Sequence, residues 1–173
     1  MTQILEYPIE VKLLYRATRD GFQGSNYHYK CRDISNTLTI VKTTSNSVFG
    51  GFNREHFRDN YFRYDQNSFI FALRRLGNQN RQRFYASDRI YAIDSGGMQG
   101  PSFGPDLTIN DNSNERDSKS DLGFNYQLPN NIEYGTNKAK SYLAGSSSWK
   151  TTEIEVYEIK SFMPYSVTQL HNG

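Results

Sequence analysis

A chain of 173 residues with 20 Lys and Arg against 18 Asp and Glu carries a formal charge of +2, too small a field to hold nucleic acid or a membrane surface. Hydrophobic residues make up 36%, with no apolar run long enough to span a bilayer and no secretory leader, so a single cytoplasmic domain burying about 70% of its unfolded surface is expected. With 13 Tyr and 11 Phe, much of the core must be aromatic, and each buried tyrosine hydroxyl needs a partner.

Residues 1–11 form an N-terminal edge in which Pro8 argues against a central strand. Val11 to Tyr15 reads as a strand by its branched and aromatic content. The stretch Leu13 to Phe22 ends in Asp20-Gly21, which suits a tight turn: Gly takes positive φ freely and Asp bonds the backbone beside it. Ser25 then stands as the expected N-cap of a short helix running through Cys31. On that helix Tyr27 and Cys31 lie four apart and share a face, while His28 and Cys31 lie three apart and are neighbours.

The single cysteine, Cys31, excludes an internal disulfide and any multi-cysteine zinc site. The absence of an Asn-x-Ser/Thr acceptor also points to the cytoplasm. His28 and Cys31 together admit a catalytic reading in which the imidazole lowers the pKa of a nucleophilic thiol. The plainer reading, favoured about four to one, is a small buried hydrophobe beside a hydrogen-bonded helix residue.

Thr37 to Thr43 alternates around Leu38 and Ile40 as a half-buried strand does. After a turn at Ser45-Asn46-Ser47, Val48-Phe49-Gly50-Gly51-Phe52 reads as its hairpin partner. Two glycines inside a strand mark a bulge or a close backbone approach, and no phosphate-binding Lys-Ser/Thr follows them. Asn53 to Gln66 mixes Arg54, Arg58 and Arg63 with Phe57, Tyr61, Phe62 and Tyr64. That mixture suits either stacking on bases or rings laid over a core. Ser68 to Leu73 is a continuous apolar run, expected to be a strand buried on both faces. Arg74, Arg75, Arg81, Arg83 and Arg89 then surround a turn signal at Gly77-Asn78, with no acidic residue until Asp88. A basic hairpin tip for an acidic partner and a solvated connection weigh about equally there.

Ile90 to Ile93 is read as a short strand, and the Gly- and Pro-rich Asp94 to Pro105 as irregular. Phe103-Gly104 leads into a short strand over Asp106-Leu107-Thr108-Ile109. Asp111 to Asp121 is acidic but fails the calcium-loop pattern, with Arg116 where Gly is needed and Leu122 where Glu is needed. The three histidines have no metal-ligand spacing, so neither metal nor cofactor is expected. Glu153 to Ile159 alternates, placing Ile154 and Val156 on one face and Glu155, Tyr157 and Ile159 on the other. Glu155 is therefore expected to be buried and paired. Residues 161–173 are expected to form a C-terminal tail.

These landmarks, taken in order, resemble the TLDc domain of oxidation-resistance proteins and of regulators of the vacuolar proton pump. Leu13 to Phe22 is similar to the opening signature, with Asp20 and Gly21 at its end. His28 and Cys31 fall where one branch of the family carries a His and a Cys. Thr37 to Val41 followed by Phe49-Gly50-Gly51 resembles the family's strand and Phe-Gly-Gly hairpin, and Phe69 to Leu73 its next core strand. Phe103-Gly104 with Asp106-Leu107, Ser118 to Tyr126, Tyr142 to Ser146, and Trp149 to Ile159 with Glu155 complete the set over residues 12–160. The loop Arg74 to Arg89 is more basic than the family leads one to expect.

The resemblance implies two antiparallel sheets packed as a sandwich with a few short peripheral helices. The residues read on their own agree with an α+β domain that is mainly β. It also implies a non-catalytic interaction domain that binds a protein assembly such as the vacuolar ATPase and protects against oxidative stress. In that reading Arg74, Arg75, Arg81 and Arg83 contact an acidic partner. The glycines at 50, 51 and 104 let strands pack closely. The alternatives are a peroxide-scavenging enzyme built on Cys31 and His28 and, more weakly, single-stranded nucleic-acid binding through Arg54 to Tyr64.

Overall fold

A computed structural model describes residues 9–56, 65–87 and 98–162. Among these residues ten strands follow in chain order: β1 (Ile9–Arg16), β2 (Thr37–Thr43), β3 (Val48–Asn53), β4 (Phe69–Arg75), β5 (Asn78–Tyr85), β6 (Ser102–Phe103), β7 (Leu107–Thr108), β8 (Ser118–Ser120), β9 (Ser148–Trp149) and β10 (Thr151–Phe162). Three short helices, α1 (Ala17–Asp20), α2 (Gly24–Cys31) and α3 (Asn137–Lys140), lie outside the sheets. The strands form a six-stranded antiparallel sheet in the order β1-β10-β2-β3-β4-β5 and a smaller one in the order β6-β7-β8-β9. The domain is thus a mainly β sandwich. No described helix is long and apolar enough to cross a membrane.

Alternation decides what each face of the large sheet meets. Tyr15, Val41, Phe49, Ile70, Ala72, Phe84, Ile154 and Val156 share a buried cluster with Phe103, Leu107 and Trp149 of the small sheet. Leu38, Phe52, Phe69, Phe71 and Ile159 form a second cluster on the opposite face. The run at β4 is continuous because it feeds both: Ile70 and Ala72 point one way, Phe69 and Phe71 the other. Both Leu14 and Tyr15 reach the first cluster, which a register shift between Leu13 and Tyr15 in the β1–β10 ladder permits. Two buried tyrosines are bonded as expected: the Tyr15 hydroxyl donates to the Gly21 carbonyl at 2.6 Å, and Tyr126 shares a bond with Ser68 at 3.0 Å.

Three local details differ from the sequence reading. Asp20 closes the one-turn helix α1, and Gly21 beyond it has φ +98°, a conformation that glycine adopts without strain. Helix α2 begins one residue before Ser25, with Gln23 in the N-cap position and no side-chain cap of its own. Its first free N–H, on Gly24, is instead bonded at 2.9 Å by the carboxylate of Asp111, 87 positions away. Finally, the basic stretch after β4 is a strand, β5, joined to β4 by a two-residue turn. Leu76 and Gly77 both have positive φ, 48° and 85°, as a hairpin matched to sheet twist requires. The candidate strand at Ile90 to Ile93 lies outside the described residues, as does most of the aromatic-basic stretch, residues 57–64.

Candidate functional site

Arg74, Arg75, Arg81 and Arg83 lie on one hairpin, β4–β5, at the edge of the large sheet, while Arg89 lies outside the described residues. They do not act as one cluster. Arg83, opposite Phe71, lays its guanidinium over the Phe69 ring at 4.8 Å and the Tyr85 ring at 5.7 Å, and bonds the Tyr85 hydroxyl at 3.1 Å. Such stacking fixes the fork of a side chain that otherwise has many rotamers. Arg81 precedes it on the strand and is exposed. Arg75 sits 6.0 Å from the Tyr142 ring, and Arg74 donates through Nε to the Asn46 carbonyl at 3.0 Å. Thus Arg74 and Arg75 hold the hairpin to its neighbours, whereas Arg81 and Arg83 face outward.

The tip of this hairpin is tied to the β2–β3 turn. The Leu76 N–H donates to Ser47 Oγ at 2.9 Å, and the Gly77 N–H to the Asn46 carbonyl at 3.3 Å. Ser45 and Ser47 both donate to the Ala144 carbonyl. Leu76, half exposed, and the exposed Tyr85 flank the arginines. The result is a firm basic surface with aromatic surroundings, chemistry suited to carboxylates.

The His28–Cys31 pair has a different character. Cys31 is 0% exposed, packed with Tyr15 and Tyr27 in the core. Burial pushes its thiol up to about 12, with Lys30 and Asp20 as opposing lesser influences. At pH 7 the thiol is therefore protonated, whereas reactive cysteines have their pKa lowered by neighbouring positive charge or a helix N-terminus. His28 is pulled down by burial and is engaged by the Gln99 carbonyl, and its Nε2 is buried with no hydrogen-bond partner. The imidazole therefore stays neutral and turns to Gln99. Native Cys31 should resist iodoacetamide at pH 7.5 and react at the rate of global unfolding. Labelling faster than unfolding would show a reactive site.

The remaining motif residues lie at contact points. The Asp20 carboxylate accepts from Arg19 and from the Arg16 N–H at 2.9 Å, with Lys30 Nζ at 3.4 Å. The Arg19 guanidinium, helped by the other two, holds that carboxyl well below the usual carboxylate range. Glu155 pairs with Arg16 at 2.5 Å and accepts from the Tyr157 hydroxyl at 2.7 Å, on the face of β10 away from the small sheet. Burial and the neighbouring Glu155 push Tyr157 up to about 12. Phe49 meets Trp149 edge-on with centroids 5.0 Å apart. Gly104, φ +61°, turns β6 into β7. Gly50 lies against the Thr39 carbonyl, where a Cβ would also come within 2.8 Å of Phe71 Cζ. A Cβ on Gly51 would enter the Phe103 ring, 2.5 Å from Cε1 and 2.8 Å from Cε2.

Two buried carboxylates that organise loops escaped the sequence reading. Asp106, 0% exposed, accepts main-chain N–H groups from Gly123 at 2.7 Å, Phe124 at 3.0 Å, Asn125 at 2.8 Å and Tyr126 at 3.4 Å. These donors favour the charged form, but burial outweighs them and pushes the carboxyl up to about 6. Asp65 accepts from the N–H groups of Arg54, Glu55 and Asn67, joining the end of β3 to the start of β4. Nothing local marks either residue, because each serves donors that tertiary contact or a loop closure brings to it.

A family model described as TLDc domain matches residues 4–160. No curated protein matches the chain.

Proposed function

The chain belongs to the TLDc family, and from that membership we propose that it is a non-catalytic interaction domain that docks on a large protein assembly, the vacuolar proton-pumping ATPase being the family's precedent. Protection against oxidative stress would follow from that docking and not from chemistry at Cys31, whose thiol is buried and protonated. The observation that carries the reading is the β4–β5 hairpin. From Gln66 to Ser87 the chain contains no Asp or Glu, so Arg81 and Arg83 present their charge outward with no acidic residue on their own hairpin. Carboxylates on a partner would supply the missing counter-charge, with Tyr85 and Leu76 adding apolar contact.

The test is co-sedimentation of the purified domain with membranes bearing the vacuolar ATPase, with ATP hydrolysis read in the same tubes. Binding is expected at low salt, with a changed hydrolysis rate. Replacing Arg81 and Arg83 by Glu should weaken it at least about tenfold, because two attractive contacts become repulsive. A folded double variant that binds as the parent does would remove the hairpin from the interface.

A further inference from the structure

Resting on the reading that this hairpin meets an acidic partner, we propose that the partner binds as an added β-strand along the open edge of β5. β5 ends the order of the large sheet and pairs with β4 on one side. The direction of its main-chain groups follows from the hydrogen bonds at its end. The Ala86 N–H donates to the Ser68 carbonyl at 3.2 Å, so Ala86 faces toward β4, and Phe84 and Gln82 do so by alternation. Arg83, Tyr85 and Ser87 then present their main-chain groups outward. The Tyr85 carbonyl indeed accepts from the Gln127 N–H at 2.9 Å, and the Ser87 N–H donates to the Asn125 carbonyl at 2.7 Å.

The chain thus begins a further strand on this edge and abandons it. Its register is set by the antiparallel bridge Ala86↔Tyr126. Three residues further along, Arg83 would stand opposite Pro129, which has no N–H to donate. There the segment leaves the edge in a turn closed by the Ile132 N–H on the Pro129 carbonyl at 3.3 Å. Among the described residues, none takes up the outward N–H and C=O of Arg83. Among the described residues, the edge from Asn78 to Arg83 is therefore uncovered beyond a short segment that already shows how a strand would lie there.

The side chains select the occupant. A second copy of β5 would bring arginines against arginines, which destabilises a cross-strand pair. The extra residue that β5 carries between Gln79 and Gln82, across from the Ala72–Arg74 step of β4, interrupts the edge, so regular pairing with an added strand would centre on Arg83. An extended segment with Glu or Asp at alternate positions would instead place its carboxylates beside Arg81 and Arg83 while its backbone completes the ladder.

The probe is a synthetic peptide, Thr-Glu-Val-Glu-Thr-Glu-Val, titrated into the isotope-labelled full chain at low salt. A second peptide of the same sequence is N-methylated at alternate residues so that it keeps its charge but cannot pair. The unmodified peptide should bind, slow exchange of the Arg83 amide, and lose affinity with added salt. The N-methylated peptide and the Arg83→Gln protein should each lose at least about tenfold. Equal binding of the two peptides would overturn strand addition while leaving the acidic-partner reading standing. Unchanged affinity in a folded Arg83→Gln chain would place the peptide elsewhere and overturn the proposal. No binding of either peptide would overturn it together with the role of the arginines.

Discussion

Gly51→Val is expected to abolish folding, and Gly51→Ala to weaken it severely. Gly51 sits on β3 directly beneath the ring of Phe103, which is fully buried in the small sheet. Any Cβ there overlaps an aromatic ring held by its own neighbours, among them Tyr126, whose ring centroid is 6.4 Å away edge-on. Overpacking a rigid core costs about 1–3 kcal/mol when side chains can shift. Here a valine adds three carbons against a ring with no open side, so a loss of about 4 kcal/mol or more, most of a small domain's stability, is expected. Unfolding in urea followed by circular dichroism measures it. Shortening the opposing ring separates sterics from backbone effects: Phe103→Leu should rescue part of the Gly51→Ala defect in a double-mutant cycle. A native-like melting curve for Gly51→Val would refute the close approach of the two sheets.

Asp106→Ala should cost about 3 kcal/mol at pH 7, because four main-chain donors lose their acceptor in a site that water does not reach. The same residue carries a pH dependence of defined sign. Its carboxyl stands at about 6 in the folded chain against an ordinary value of 3.8, so between those limits the folded state binds the proton more tightly than the unfolded one. The proton-linked part of its contribution is fully present below about pH 4 and is lost as pH rises through 6, leaving at pH 7 the part due to the four accepted hydrogen bonds. The gap between parent and variant should therefore widen from pH 7 towards pH 4. Paired urea titrations at the two pH values measure it, and a gap that narrows on acidification would show that the four donors, not burial, dominate the carboxyl.

Alternation in the sequence was enough to place β2 at Thr37 to Thr43, where it is found, and to put Ile154 and Val156 opposite Glu155, Tyr157 and Ile159. Those patterns are local: a period of two sorts side chains to faces whatever the strand pairs with. The Gly50-Gly51 pair likewise announced a close approach, although not that Phe103 would be the group approached. The tertiary structure decided the rest. β5 is polar at most of its positions and has no periodicity to mark it as a strand. Its structure comes from the ladder with β4 and the Leu76-Gly77 turn. The arginines were visible as composition, but which ones turn inward depended on Asn46 and Tyr142, residues of other loops. Asp111 caps a helix 87 positions away and Asp106 gathers four N–H groups from a distant loop. Hydrogen bonds between segments so far apart leave no imprint on the spacing of residues around either partner, and only the closed fold brings donor and acceptor together.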